Sequence, residues 1–341
     1  MNIYDVSKKA GVSIATVSRV INGNSYVSEK TRKKVLDVIE EYGYTPNVFA
    51  RGLGLNTMNT VGILCADSSD PYIARAIFYL QQELRRHNYD ALLCCSGYEL
   101  ETKQKYVNLL LSKRTDAIIL VGSNFVAADD KKNQYIRDAA KSVPVLIVNA
   151  ALDGPNIYCS LCNDRHATYQ ATKSLLNSGH EKILYLYNAK SYSGMEKLGG
   201  FLDALNIDSN ISDNNNGNII NNDYIQYIHG TIDEVKEHLN SLYKKGLKFD
   251  AIVTADDILA IGALKFAKEN RLSIPDDLSI IGYNNSILCQ CSEPELTSID
   301  NKLETVCINC ITTLMGVLQG KEAPLKTVFS AEIVKRDTTR F

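Results

Sequence analysis

From Ile3 to Tyr42 apolar residues recur at spacings of three and four, the period of helices that present one face to a shared core. Three short helices are predicted. Ile3, Val6 and Ala10 form the inward stripe of the first, and Gly11 permits the turn after it. Ser13 is a candidate N-cap for the second, whose stripe is Val17, Val20 and Ile21 and whose opposite face carries Ile14, Ala15, Ser18, Arg19 and Asn22. Ser28 is placed to cap the third, with Val35, Leu36 and Ile39 inward and Gly43 at its end. A helix, a glycine turn and a second helix with small polar residues at its start match a helix-turn-helix, a weak signal by itself.

Beyond Pro46 the pattern changes. Residues 47–54 read as a helix weakened by Gly52 and Gly54, each costing about 1 kcal/mol relative to Ala. From Thr60 onward continuous apolar runs alternate with amphipathic stretches. Strands are predicted at Thr60–Ala66, Asp90–Cys95, Asp116–Val121, Pro144–Asn149, Lys182–Tyr187, Asp250–Thr254 and Leu278–Tyr283. Helices at Tyr72–Arg86, Ala167–Asn177 and Ile258–Lys268 lie between them. Apolar strands separated by helices imply parallel sheets covered on both faces, and so many strands divide more naturally into two lobes than into one sheet. Asp208–Asp223, rich in Asn, is expected to be an exposed loop.

Charge sharpens this division. The net charge is -2 over 341 residues, yet residues 1–57 hold eight Lys and Arg against five acids, leaving 29 against 34 for the other 284. A basic head on an acidic body suits contact with phosphate, although a solvated basic helix face would look the same. No apolar run approaches the length of a membrane span, and no secretory signal pattern follows Met1, so a cytoplasmic protein without membrane contact is expected. Nine scattered Cys read as reduced thiols.

The run Tyr4-Asp5-Val6, Ala10-Gly11-Val12-Ser13, Thr16-Val17-Ser18-Arg19-Val20-Ile21-Asn22, Val27-Ser28, Thr31-Arg32, Tyr44-Thr45-Pro46-Asn47 and Ala50-Arg51 resembles the headpiece of the lactose repressor (LacI/GalR) family of bacterial transcription regulators. The likeness continues through Gly62-Ile63, Asp116 to Ile119, Gly179-His180, Gly200-Phe201, Asp257, Gly282-Tyr283 and Leu296 to Ile299. It implies a small all-α helix-turn-helix headpiece with a hinge helix (1–57), and a two-lobed α/β body with parallel sheets like the periplasmic binding proteins (58–341). Lobe one is expected at about 60–160 and 292–320, lobe two at about 161–291 and 321–341. Crossovers are expected near Cys159–Asn163, Cys289–Thr297 and Gly320.

By that resemblance Ser13, Ile14, Ala15, Thr16, Ser18, Arg19 and Asn22 face double-stranded DNA, while Ala50, Arg51 and Leu53 enter the minor groove at the centre of a near-palindromic operator bound by a homodimer. Ile14 and Ala15 can touch a thymine methyl but cannot hydrogen-bond a base, which shifts direct reading toward Arg19. Leu53 would act as an apolar wedge between base steps. The alternatives are a packing residue at Ile14 and a plain linker at 47–55.

In the body the resemblance implies a small effector, a sugar or sugar derivative, held at the carboxyl ends of the strands. Asp70, Tyr72, Asn149, Ser193, Lys197, Asp256, Asn284 and Asn301 are the candidates, with Asp67 and Asp257 nearby. Carboxylates, amides, a cation and tyrosines suit hydroxyl recognition and ring stacking. Three positions depart from the family pattern: Lys197 stands where an arginine is usual, Asn284 where an aspartate follows Gly-aromatic, and Asp70 where an asparagine is usual. A nucleobase or a protein corepressor therefore remains an alternative effector, and each residue has a plain reading as an N-cap or loop end, strongest for Asp257.

Other classes fit less well. The sequence carries no phosphate loop, nucleophile elbow or strand-linked GxGxxG, so neither an enzyme nor a cofactor is expected. A solute-binding protein would share the body but not the basic head. Cys159-x-x-Cys162 and Cys289-x-Cys291 fall at expected crossovers where a metal or thiol site is conceivable, yet no metal is assigned; Cys307 and Cys310 read as buried thiols. No heptad tail closes the chain, which favours a dimer over a tetramer.

Overall fold

The computed structural model describes residues 1–21, 26–44, 57–206 and 222–341. Helices α1 (Ile3–Ala10), α2 (Ile14–Ile21) and α3 (Glu29–Glu41) close on Val6, Ala10, Val17, Val20 and Val35. Local chemistry sets their limits. Asn2 and Asp5 form a capping box on α1, Gly11 takes the left-handed conformation at its end, and Ser28 accepts from the Thr31 amide at the start of α3. One inward assignment fails: Leu36 is exposed, and Val38 packs on the core with Ile39 instead.

The body contains two six-stranded sheets. The first has the order β11-β5-β4-β3-β1-β2 and is parallel throughout, from β1 (Thr60–Cys65), β2 (Asp90–Cys95), β3 (Ala117–Val121), β4 (Val145–Val148), β5 (Ile157–Cys162) and β11 (Lys326–Phe329). The second has the order β12-β10-β9-β8-β6-β7, from β6 (Ile183–Tyr187), β7 (Ile225–Tyr227), β8 (Ala251–Thr254), β9 (Ser279–Tyr283), β10 (Ser298–Asp300) and β12 (Glu332–Val334), with β12 alone antiparallel. The seven predicted strands are all present. Five more, β5, β7, β10, β11 and β12, escaped the apolar pattern because they are short, carry polar residues or lie at an edge.

The chain passes from the first sheet to the second between β5 and the helix Asp164–Asn177, back between β10 and the helix Leu303–Leu318, and across again between β11 and β12. The first passage lies where the sequence placed it. The other two are corrected, from Cys289–Thr297 to Asn301–Lys302 and from Gly320 to Ser330–Ala331, because β10 pairs with β9 and β11 pairs with β5. At these two passages Lys302 bridges Asp300 (3.2 Å) and Glu332 (2.6 Å), which face each other across β10 and β12.

Close packing in the second lobe positions the site. The helix Tyr192–Ala204 lies on Asp164–Asn177, and a Cβ at Gly200 would stand 2.0 Å from the Arg165 carbonyl oxygen, so only glycine allows the approach. Arg165 clasps Asp203 with bonds of 2.6 and 2.8 Å on the same contact. Side chains at Ser193 and Lys197 are thereby brought over the end of β9.

Candidate functional site

Two surfaces carry the chemistry foreseen from the sequence. The first is the outer face of α2. Burying Val17 and Val20 turns Ser13, Ile14, Ala15 and Arg19 to solvent, with Thr16 and Ser18 half-buried beside them. Ser13 accepts from the Thr16 amide at 3.2 Å and shares a hydroxyl bond with Thr16 at 2.9 Å, so both serve first to start the helix. Ile14 is 38% exposed. Asn22, Ala50, Arg51 and Leu53 lie outside the described residues. Tyr4, at the first turn of α1, is also exposed.

The second surface is a cleft between the lobes at the carboxyl ends of the strands. An inner cavity of about 250 Å³ is walled by Asp70, Tyr72, Asn149, Ser193, Lys197, Asp256 and Asn284, all of them anticipated. Asn301 does not reach the wall. It is buried behind it and donates to the Asn284 side-chain oxygen at 3.0 Å. An outer chamber of about 660 Å³ continues through Tyr98, Asn124, Asn188 and His229, which border both spaces. These four, with Ser123 and Ser191, were missed. Asn188 follows β6 as Asn149 follows β4, so the same rule of inspecting strand ends would have found it; His229 follows a strand too short to be seen.

The wall is held by its own polar groups. Asp164, buried at the first passage between lobes, accepts from Tyr283 and Ser193 at 2.5 Å each. Lys197 donates to the Ala255 carbonyl at 2.9 Å and stands 3.7 Å above the Tyr283 ring, a cation–π contact that fixes the ammonium without the planar fork of an arginine. Burial pushes the Tyr283 hydroxyl well above its ordinary pKa, with the Asp164 charge adding to it. Asp256 caps the helix Asp257–Glu269 through the Leu259 amide at 2.8 Å and also accepts from Asn188. Desolvation raises its carboxyl pKa despite these donors and Lys197. At the rim Ser69 donates twice to Asp67 and lowers its pKa, while Asp70 caps the helix Pro71–Arg86.

Asp257 belongs elsewhere. Asp256 is the cap, and Asp257 is buried, accepting from Ser298 at 2.6 Å and the Ser286 amide at 2.7 Å, so it ties loops together behind the wall. The cysteines at the expected crossovers do not converge either: Cys159 contacts Leu152 in the first lobe, and Cys289 packs in the core of the second. Among the described residues no group of three or more His, Cys, Asp or Glu could hold a metal ion. No described helix is long and apolar enough to cross a membrane.

A helix-turn-helix head followed by a two-lobed binding-protein body defines a DNA-binding transcriptional regulator. Comparison with known proteins agrees. Residues 2–47 match the profile of bacterial regulatory proteins of the lacI family, and residues 58–328 match that of periplasmic binding proteins and the sugar binding domain of the LacI family. A regulator from Lachnoclostridium phytofermentans, described as an HTH-type transcriptional regulator, is 57% identical over the whole of both chains. The fold is that of the Lac repressor dimer bound to operator and anti-inducer (TM-score 0.85, 23% identity, 99% of this chain and 98% of that one) and of the regulator CelR in complex with cellobiose (TM-score 0.69, 22% identity, 99% and 100%). The chain belongs to the LacI family. It is a DNA-binding transcriptional regulator and not an enzyme.

Proposed function

We propose that the chain is a cytoplasmic repressor that binds a near-palindromic operator as a homodimer and releases or tightens its grip when a sugar or sugar derivative occupies the cleft. The inner cavity of about 250 Å³ carries this reading: it is lined at strand ends by carboxylates, amides and one ammonium, with Tyr72 and Tyr98 beside them. Hydroxyl-rich rings need that combination of donors, acceptors and aromatic faces. The fold shared with a cellobiose-bound regulator supports the same class.

On the DNA side, Arg19 has the donors for a guanine edge, and Ser13, Ile14, Ala15, Thr16, Ser18 and Asn22 share its helix or border it. Ala50, Arg51 and Leu53 are assigned to the minor groove at the operator centre. The Ser123–Ser191 bond of 2.8 Å joins the lobes at the cleft, and ligand binding beside it biases the dimer between two DNA affinities.

Thermal shift with a panel of mono- and disaccharides and nucleobases, followed by gel shift on the upstream region of the chain's own gene, tests the whole. A saccharide that raises the melting temperature and changes the gel shift is expected, since a ligand of the native form stabilises it. Stabilisation by a nucleobase alone would replace the sugar assignment. Failure of full-length protein to bind DNA that a headpiece-deleted chain also ignores would remove the operator assignment.

A further inference from the structure

The parallel register of β1 and β2 sets Cys65 directly beside Cys95 at the point where both strands end. Neighbouring strands lie about 4.8 Å apart, inside the window of roughly 4.4–6.8 Å between Cα atoms that a disulfide spans. The two sulfurs are already 3.5 Å apart, in contact and unbonded. Their exposures differ: Cys65 is fully buried and Cys95 is open to solvent. Past the pair the chain enters the cleft rim on both sides, through Ala66, Asp67 and Asp70 after β1 and through Tyr98 after β2. The two exits are laced together by bonds from the Ser96 amide to the Cys65 carbonyl and from the Gly97 amide to the Ala66 carbonyl, each 2.9 Å.

We propose that Cys65 and Cys95 form a peroxide-reactive dithiol whose reversible disulfide fixes the rim of the ligand cleft. The Cys95 sulfur attacks one oxygen of hydrogen peroxide, the O–O bond breaks, and Cys95 becomes a sulfenic acid as water leaves. The Cys65 sulfur then attacks Cys95, the S–O bond breaks, and the departing hydroxide takes the Cys65 proton as a second water. Two thiols thus supply two electrons and two protons, and a small-molecule or protein dithiol reverses the change by exchange. Burial beside Cys95 pushes the Cys65 thiol up to about 12, which keeps it protonated and leaves the first attack to Cys95. Forming the bond draws the sulfurs from contact to about 2.05 Å and moves the start of Ser96–Tyr98 with them. The effect on ligand sensing rests on the cleft reading given above; the thiol chemistry does not.

Reduced full-length protein treated with hydrogen peroxide and mapped by mass spectrometry after alkylation decides the matter. A Cys65–Cys95 linked peptide that dithiothreitol reverses is expected. Cys65→Ser should leave Cys95 as a sulfenic acid captured by dimedone, and Cys291→Ser, which removes another exposed cysteine, should change nothing. Amide exchange over residues 66–70 and 96–98 should slow severalfold on oxidation. Cys95 oxidised to a sulfinic acid, or joined to another cysteine while Cys65 stays a free thiol, would overturn the pair. Linked peptides with unaltered exchange in both segments would overturn its hold on the cleft.

Discussion

The head and the cleft present their working side chains in opposite ways. On α2 the residues facing outward are not those that close the core: Val17 and Val20 hold the helix, and Arg19 projects free of that task. In the cleft lining and support interlock, with Ser193 and Lys197 on the cavity wall and the buried Asp164 and Tyr283 behind them. Lys197, Tyr283, Ser193 and Asp164 support one another before any ligand arrives. A reading face can therefore change its specificity at little expense to the fold, whereas a binding wall of this kind couples recognition to stability.

The largest expected effect follows from that coupling. Asp164→Ala removes the shared acceptor of two buried hydroxyls and should destabilise the body by about 2–6 kcal/mol, at about 1–3 kcal/mol for each bond lost. Its thermal transition should fall clearly below that of the parent, with ligand binding lost. A variant that melts with the parent would break the contrast at its root. On the head, Arg19→Ala should leave the melting profile in place while specific DNA affinity drops on the order of tenfold to hundredfold, the discrimination carried by one good base contact. Footprinting with parent-like protection would remove Arg19 from the reading role.

Much of this was legible in the sequence, for reasons that differ between the regions. Periodicity exposes the outer face of α2 through Val17 and Val20, although the same rule placed Leu36 of α3 inward where Val38 packs instead. Six of the seven predicted strands were visible because they are almost wholly buried and continuously apolar, and the half-exposed edge strand β2 showed through its Ala-Leu-Leu-Cys run. What pattern could not reveal was pairing. β10 is three residues long and Lys326–Phe329 alternates in burial like many loops, yet their partners decide where the chain changes lobe. In the cleft, strand ends pointed to Asn149, Asp256 and Asn284. Asp164 escaped because its function depends on Ser193 and Tyr283, 29 and 119 residues away in the chain.

Asn301 offers a smaller and more selective test. Standing behind the wall, it acts only by holding the Asn284 side chain, whose backbone sits at φ 97°. Asn301→Ala should lose about 1 kcal/mol of stability and weaken ligand binding severalfold, while Asn301→Asp keeps a side chain of the same shape but without the donor and should weaken binding as well. Calorimetry with a ligand found by thermal shift separates the cases. Unchanged affinity in both variants would confine Asn301 to packing.

The smallest effect probes the coupling most directly. Burial raises the Asp256 carboxyl pKa above its ordinary value of 3.8. Between that value and the raised one, the folded chain keeps a proton that the unfolded chain releases. The associated stability is therefore present below the ordinary carboxylate range and is lost as pH rises through the folded pKa. Asp256→Asn keeps an N-cap oxygen for the Leu259 amide and, after an amide flip at Asn188, the second bond as well. Melting profiles against pH should converge in acid, and the variant should become the more stable as pH rises through the raised carboxyl pKa. Its affinity for a hydroxyl-bearing ligand should fall at the same time, because the carboxyl group is replaced by an amide that presents one acceptor oxygen in place of two. Stability gained and binding lost at one residue is the signature of a wall that holds a strained charge for its ligand; profiles that coincide at every pH would place Asp256 with the helix caps and leave recognition to its neighbours.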